Sequence, residues 1–254
     1  MPSNRIIFEN KEELLNQAKI QADKVEEEHK QSVLLYFIAR YFVSLYEGRF
    51  GAIPIQVWNE YRNALDHYFR YLTNKNSTHL KKMESHLQRA ALDIMKIYCH
   101  EAQNKTIKQK EEYKIEVLQL VDNGTFNSEL IQGLSTAEDL FVNAKVDDSI
   151  LGDNAHTNQE ILGKYLDAVF AFDEVYRKII DKLDDIQSAQ LTYNSIHDNA
   201  AKGTFKEHMK THFIFYVLWT LGTGVLLFGW NNGIKEKANE VVSYFSSENN
   251  IEKK

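Results

Sequence analysis

Proline is nearly absent from this sequence, in which Pro2 and Pro54 are the only two among 254 residues. Glycine is also sparse, and most of its 11 residues fall where polar turn residues gather. Since proline and glycine are the residues that most often end a helix, their scarcity predicts long, uninterrupted helices. The sequence also has no sustained alternation of apolar and polar residues, the pattern that predicts strands. The expected fold class is therefore all-α.

Cysteine and signal-peptide features are missing as well. Cys99 is the only cysteine, so no disulfide can form within the chain. The first residues, Met-Pro-Ser-Asn-Arg, lack the basic and then apolar arrangement of a secretory signal. Both observations favour a helical N-terminal body that lies in the cytoplasm.

Excess basic charge and the common catalytic motifs are also lacking. The 36 acidic and 30 basic side chains give a formal net charge of −6, which disfavours DNA as a partner bound through bulk charge. No Walker loop, dinucleotide-binding glycine motif, GxSxG elbow, CxxC pair or HExxH motif occurs. We therefore expect no cofactor and no metal ion, and the sequence leaves open whether the protein is an enzyme.

Residues 1–150 have the pattern of a helical body, which we interpret as a possible sensor domain. Asn10 is a suitable N-cap for a helix that continues into the apolar residues 33–46. This apolar stretch is only about 14 residues long and carries Arg40 at its centre, so a buried core helix is favoured over a membrane span.

The next two helices are predicted to form an antiparallel pair joined by a short connection. Pro54 suits the first turn of one helix, and Ser77 or Thr78 can cap the other. The apolar stripe of the first of these helices consists of five residues at helical spacing, Trp58, Tyr61, Leu65, Phe69 and Leu72.

A polar segment at residues 147–158 is the expected internal boundary, because it has the composition of a loop. A long helix should follow from about Gln159, in which apolar residues and Asp173 recur every three or four positions. Residues 151–205 are therefore predicted to connect the body to the membrane and to assemble subunits into a homo-oligomer.

Residues 213–230 are the strongest candidate for insertion into a lipid bilayer. They carry no ionisable side chain other than Tyr216, and at about 1.5 Å per residue they cover roughly 27 Å, enough to cross a hydrocarbon core. We predict a transmembrane helix within residues 206–232 and an amphipathic tail at residues 233–254. The alternative is a buried helix in a soluble oligomer.

The predicted span has a face of small residues that would let neighbouring spans approach closely or line a pore: Thr220, Gly222, Thr223 and Gly224. With its body in the cytoplasm, the protein would be a single-pass protein of the inner membrane.

Arg62, Asn63 and His67 resemble the R-polar-x-x-x-H motif of the HEPN ribonuclease family. The resemblance implies a metal-independent endoribonuclease in which Arg62 and His67 converge, usually across a dimer, to activate the ribose 2′-hydroxyl and stabilise the phosphate. Asn63 would position them. The alternative is a structural polar network, because Arg62, Asp66 and Arg70 are i,i+4 neighbours on one helix face.

A second set of polar residues could bind a nucleotide signal. His86 and Arg89 lie on the helix that is expected to pack against the helix of Arg62 and Arg70. Three guanidinium groups beside a histidine suit a phosphate. An interhelical ion-pair network with the acidic residues of the same two helices is the alternative.

The layout of a helical body, a connecting helix and a C-terminal span resembles membrane effectors of nucleotide-signalled bacterial anti-phage defence, of the CBASS and Hailong types. The resemblance implies an oligomeric pore or channel, gated by a nucleotide or by a partner enzyme that produces the signal. This function is our first hypothesis. A membrane-tethered HEPN-like ribonuclease and a membrane scaffold without catalytic activity are the alternatives.

Overall fold

The computed structural model of the chain describes residues 7–52, 54–151 and 159–201. Within these ranges every regular element is a helix, which confirms the predicted all-α class. The elements are α1 Lys11–Ala22, α2 Glu27–Phe50, α3 Ile55–Asn74, α4 Ser77–Glu111, α5 Ile115–Leu118, a 3₁₀ segment Val121–Gly124, α6 Thr125–Leu151, α7 Gln159–Asp181 and α8 Leu183–Ala201.

The N-terminal residues form a helical hairpin rather than the single long helix that the pattern predicted. Asn10 caps α1 as expected, since its side chain accepts a hydrogen bond of 3.0 Å from the backbone N–H of Glu13. The chain then turns at residues 23–26, and α1 packs on α2. The turn lets Leu14 and Ala18 become fully buried, which a continuous helix would not achieve.

The 35-residue helix α4 is the centre of the fold. α2, α3 and α7 pack against it, and α6 packs on α7. α3 and α4 are joined by a turn of two residues, Lys75 and Asn76, and pack along each other, as predicted for this pair. The side chains of Ala91, Met95 and Tyr98 on α4 are completely buried.

Most of the apolar stripe predicted on α3 lies outside the core. Trp58, Leu65 and Phe69 are 53%, 53% and 57% exposed, whereas Val57 and Ala64 on the neighbouring line of the helix are buried. The reason is that α4 is the main packing partner of α3 among the described helices, and one partner covers only one narrow sector of a helix.

A buried charge network connects α7 to α2 and α4. Asp173 on α7 is 2% exposed. Nη2 of Arg49 lies 2.9 Å from its Oδ1, Nε of Arg177 lies 3.1 Å from its Oδ2, and the Tyr98 hydroxyl donates a hydrogen bond to Oδ1. Burial and the Asp173 carboxylate raise the pKa of Tyr98, which keeps this hydroxyl a hydrogen-bond donor. The carboxylate thus joins three helices at one point.

Two helices occupy the segment where one long helix was expected. α7 ends at Asp181 and α8 begins at Leu183. The apolar face of α7, which includes Leu162 and Val169, is buried against α4 and α6 within the same chain. Assembly of subunits through residues 151–205 therefore stays a prediction.

The chain divides into two compact units, Met1–Leu191 and Thr192–Lys254. The expected boundary at residues 147–158 lies inside the first unit, because α6 and α7 on its two sides pack together. Of the second unit, residues 192–201 are described, and they form the end of α8.

The predicted membrane segment at residues 206–232 and the tail at residues 233–254 lie outside the described residues. The four small residues assigned to the span, Thr220, Gly222, Thr223 and Gly224, therefore lie outside them too. Within the part of the chain that the structure describes, no helix combines the length and the apolar character that crossing a bilayer requires.

Candidate functional site

An open apolar groove with a volume of about 740 Å³ lies between α2 and α3. Both helices rest on α4, so α2 and α3 form the two walls and α4 forms the floor. The groove is lined mainly by apolar side chains, among them Val33, Tyr36, Val43, Trp58, Leu65 and Met83. Its volume is in the range of sites that bind small molecules or the anchoring side chains of a helix.

The groove follows the length of its two walls, along which its lining residues recur every three or four positions. On α2 the lining extends from His29 to Glu47, which is 18 residue steps or about 27 Å of helix. On α3 it includes Trp58, Leu65 and Tyr68. The exposed apolar stripe of α3 therefore contributes side chains to the α3 wall of this groove.

Polar groups also lie in the lining, and Arg40 and Tyr61 are two of them. The guanidinium of Arg40 stacks over the rings of Tyr36 and Phe37, at 5.7 Å and 5.6 Å from their centres. The hydroxyl of Tyr61 is buried without a hydrogen-bond partner, and burial raises its pKa. A buried hydroxyl without a hydrogen-bond partner lowers the stability of a fold by about 1–3 kcal/mol, and a hydrogen bond with a bound molecule would remove this penalty.

A cluster of three histidines lies on the α3–α4 hairpin and does not line the groove. Nδ1 of His67 on α3 lies 3.2 Å from Nδ1 of His79 on α4. The ring centre of His67 is 5.3 Å from that of His79 and 5.3 Å from that of His86. Burial, followed by the two neighbouring imidazoles, lowers the pKa of His67.

His86 and Arg89 are held by Glu60 of α3. Nδ1 of His86 lies 2.7 Å from Oε2 of Glu60, and Nε of Arg89 donates to the same oxygen at 3.1 Å. Nη2 of Arg89 also lies 2.6 Å from Nδ1 of His86, but this nitrogen cannot both donate and accept. We assign an N–H to Nδ1, donated to the carboxylate, because a charge-assisted bond is the stronger of the two.

The residues predicted for ribonuclease chemistry do not converge within one chain. Arg62 is exposed, while Asn63 and His67 are half-buried. Five helical steps place Arg62 and His67 about 140° apart around α3. The ring of His67 instead faces α4 and its histidines.

The residues predicted to bind a nucleotide lie in separate places. Arg70 is exposed and donates to Asp66 at 2.8 Å, in an i,i+4 pair on α3. His86 and Arg89 form the group around Glu60. Arg62, Arg70, His86 and Arg89 are all absent from the lining of the groove.

The sequence patterns did not identify the groove, although one signal for it exists. The apolar sector of α3 is wide, because the stripe of Trp58, Leu65 and Phe69 lies beside a second line of Val57, Ala64 and other core residues. One packing partner cannot cover both lines. An apolar sector of this width predicts a second contact surface on the helix.

Comparisons with protein families, with curated proteins and with solved structures found no match to this chain.

Proposed function

We propose that this chain is a membrane effector whose helical body binds a partner protein in the α2–α3 groove and whose C-terminal apolar segment acts in the bilayer as an oligomeric pore. The observation that supports it most is the groove itself, an apolar site of about 740 Å³ on the surface of the body. The second support is the apolar sequence of residues 213–230, which has the length of a single span.

The shape and chemistry of the groove favour an amphipathic helix as the occupant over a nucleotide. A helix that lies in a groove inserts apolar anchors at i, i+3, i+4 and i+7 along its length, and a wall of about 27 Å offers room for several such anchors. A nucleotide would need several cations for its phosphates, whereas Arg40 is the one guanidinium in the lining. Arg40 favours an acidic group on the partner helix, and Glu47 of the same lining favours a basic one.

Binding would act through the packing of α2 and α3 on α4. If these helices can pack in two arrangements, a partner shifts the equilibrium between them only by the difference between its affinities for the two. Since α2 and α3 contact α4 on either side of the groove, an inserted helix would change the spacing of the walls. We propose that this change opens or closes the pore formed by the assembled spans.

A membrane-tethered ribonuclease is the second candidate function. The observation in its favour is that Arg62 is exposed on α3, where a second copy of the chain could bring it to the His67 of its partner. This arrangement is the one that the resemblance to HEPN ribonucleases implies.

Membrane potential and total RNA integrity, measured in the same bacterial cells after induction, test these functions. We expect the wild-type chain to depolarise the membrane and the His67→Ala variant to do the same. Val225→Lys should abolish the effect, because a charge in the middle of a span costs about 2.5–3.5 kcal/mol on insertion scales. RNA cleavage that is lost with His67→Ala would contradict the pore and support the ribonuclease. If the cells show neither depolarisation nor RNA cleavage, the remaining hypothesis is a membrane scaffold without catalytic activity.

A further inference from the structure

The two walls of the groove run in opposite directions. The ring of Tyr36 on α2 lies 5.9 Å from the ring of Tyr61 on α3, and the ring of His29 on α2 lies 6.2 Å from that of Tyr68 on α3. A step towards the start of α2 therefore corresponds to a step towards the end of α3. A helix that lies in the groove thus meets the last turns of α2 and the first turns of α3 at the same end.

Arg40 and Tyr61 lie on either side of the Tyr36 ring, and each has a donor without an acceptor in the protein. Cζ of Arg40 is 5.7 Å from the centre of this ring, which is 5.9 Å from the centre of the Tyr61 ring. Within the part of the chain that the structure describes, Arg40 forms no ion pair. The hydroxyl of Tyr61 is buried and has no hydrogen-bond partner there.

A carboxylate is the chemical group that suits both donors. Burial raises the pKa of Tyr61, so its hydroxyl stays protonated and can donate. The positive charge of Arg40 lowers the same pKa in part, which shows that this charge acts at the hydroxyl. Hydrogen bonds from a guanidinium or a hydroxyl to a carboxylate are charge-assisted and strong. An amide or a cation at this place would leave Arg40 without a counter-charge.

Glu47 offers the opposite charge at a fixed distance from Arg40. It also lines the groove and lies seven positions further along α2, which is about 10.5 Å of helix. Its side chain is exposed and forms no ion pair with any residue that the structure describes. Two side chains that are seven positions apart on a partner helix lie on one face and have the same separation. An acidic and a basic residue at this spacing would match both charges of the wall.

We infer that the helix bound in the groove carries an acidic side chain, whose carboxylate accepts hydrogen bonds from Arg40 and the Tyr61 hydroxyl, and a basic side chain seven positions away, which pairs with Glu47. Apolar anchors on the same face fill the apolar lining. This inference rests on the proposed function, since it takes the groove as the binding site of a helix. Complementary charges of this kind fix the register and the direction of the bound helix.

Selection from a displayed library of helical peptides, with the full 254-residue chain as the target, tests the inference. The peptides have about 18 residues, which as a helix match the length of the α2 wall, and their apolar anchors are fixed at helical spacing. We expect the selected peptides to share an acidic residue and a basic residue seven positions apart, always in the same order. With Arg40→Glu as the target, the acidic position should become basic.

Tyr61→Phe removes one hydroxyl from the proposed carboxylate site. A selected peptide should bind this variant about tenfold more weakly, because a hydrogen bond to a charged group is lost. This difference should vanish when the acidic residue of the peptide is replaced by its amide. The Tm of Tyr61→Phe should not fall, since the hydroxyl has no partner in the fold. Tyr113→Phe, at a half-buried tyrosine outside the groove, is the matched control and should bind like wild type.

Two results would overturn the inference, and they differ in what they mean for the proposed function. In the first, the selected helices lose binding to Leu65→Glu but share no acidic position, or bind Tyr61→Phe as tightly as wild type. The charge match would then be wrong, and the groove would remain a site for a helix. In the second, no selected helix depends on Leu65, which would contradict both the charge match and a helix as the occupant of the groove.

Discussion

Replacement of Asp173 by alanine is expected to lower the free energy of unfolding by about 3–5 kcal/mol, with a fall in Tm of about 10 °C or more. Asp173 is 2% exposed, forms ion pairs with Arg49 and Arg177, and accepts a hydrogen bond from the Tyr98 hydroxyl. Its removal leaves the guanidinium of Arg49, whose side chain is 16% exposed, without its counter-charge. Chemical denaturation monitored by circular dichroism measures the effect.

The matched control is Asp66→Ala, which removes a carboxylate from an exposed pair. Asp66 and Arg70 are i,i+4 neighbours with side chains 55% and 59% exposed. Such pairs contribute about 0.3–0.5 kcal/mol. Equal effects of Asp66→Ala and Asp173→Ala would show that the network around Asp173 does not join the helices in the way described.

Phe42→Ala should lower the free energy of unfolding by a similar amount, about 3–5 kcal/mol, because it leaves a cavity in the core. Phe42 of α2 is fully buried and contacts Tyr98 of α4 and Phe170 of α7, with ring centres 6.4 Å and 6.0 Å away. Denaturant unfolding at constant m-value separates this loss of stability from a change in compactness.

Phe69→Ala is the control for this second prediction. Phe69 of α3 is 57% exposed, so its truncation should change stability by no more than about 0.5 kcal/mol. A large loss with Phe69→Ala would mean that the α3 stripe is buried, in contradiction to its exposure in the fold.

Local signals predicted several elements of the fold correctly. The scarcity of proline and glycine predicted an all-helical chain, and Asn10 predicted the start of α1 through its side-chain acceptor. Pro54 lies directly before α3, because its fixed φ suits the entry to a helix. These features depend on a few neighbouring residues, which a sequence displays directly.

Long-range packing was less accessible from the sequence. Periodicity identified apolar stripes on α3 and α7 alike, yet the α7 residues are buried and much of the α3 stripe is exposed. Periodicity reports that a helix has an apolar face, and the number of helices available to cover that face depends on the tertiary arrangement. The turn that separates α1 from α2 likewise depends on the burial of Leu14 against other helices.

In the candidate sites, too, local patterns were visible in the sequence and long-range partners were not. Asp173 was noticed as one polar member of an otherwise apolar repeat, and such a residue often marks a buried polar contact. Its partners Arg49 and Tyr98 are 124 and 75 positions away in the chain, so spacing could not identify them. His67 was assigned to a motif with Arg62, whereas its nearest described nitrogen partner lies on the next helix.

The most direct test of the proposed function is the membrane potential of cells that express groove variants. Leu65 is a wall residue of the groove and is 53% exposed, so Leu65→Glu should fold normally. Loss of an apolar anchor of this size should weaken partner binding by about tenfold to hundredfold. Leu120→Glu, at a leucine that is 47% exposed and outside the groove, is the matched control. The account predicts depolarisation by the wild type and by Leu120→Glu and its loss with Leu65→Glu. Equal depolarisation by all three chains would contradict it.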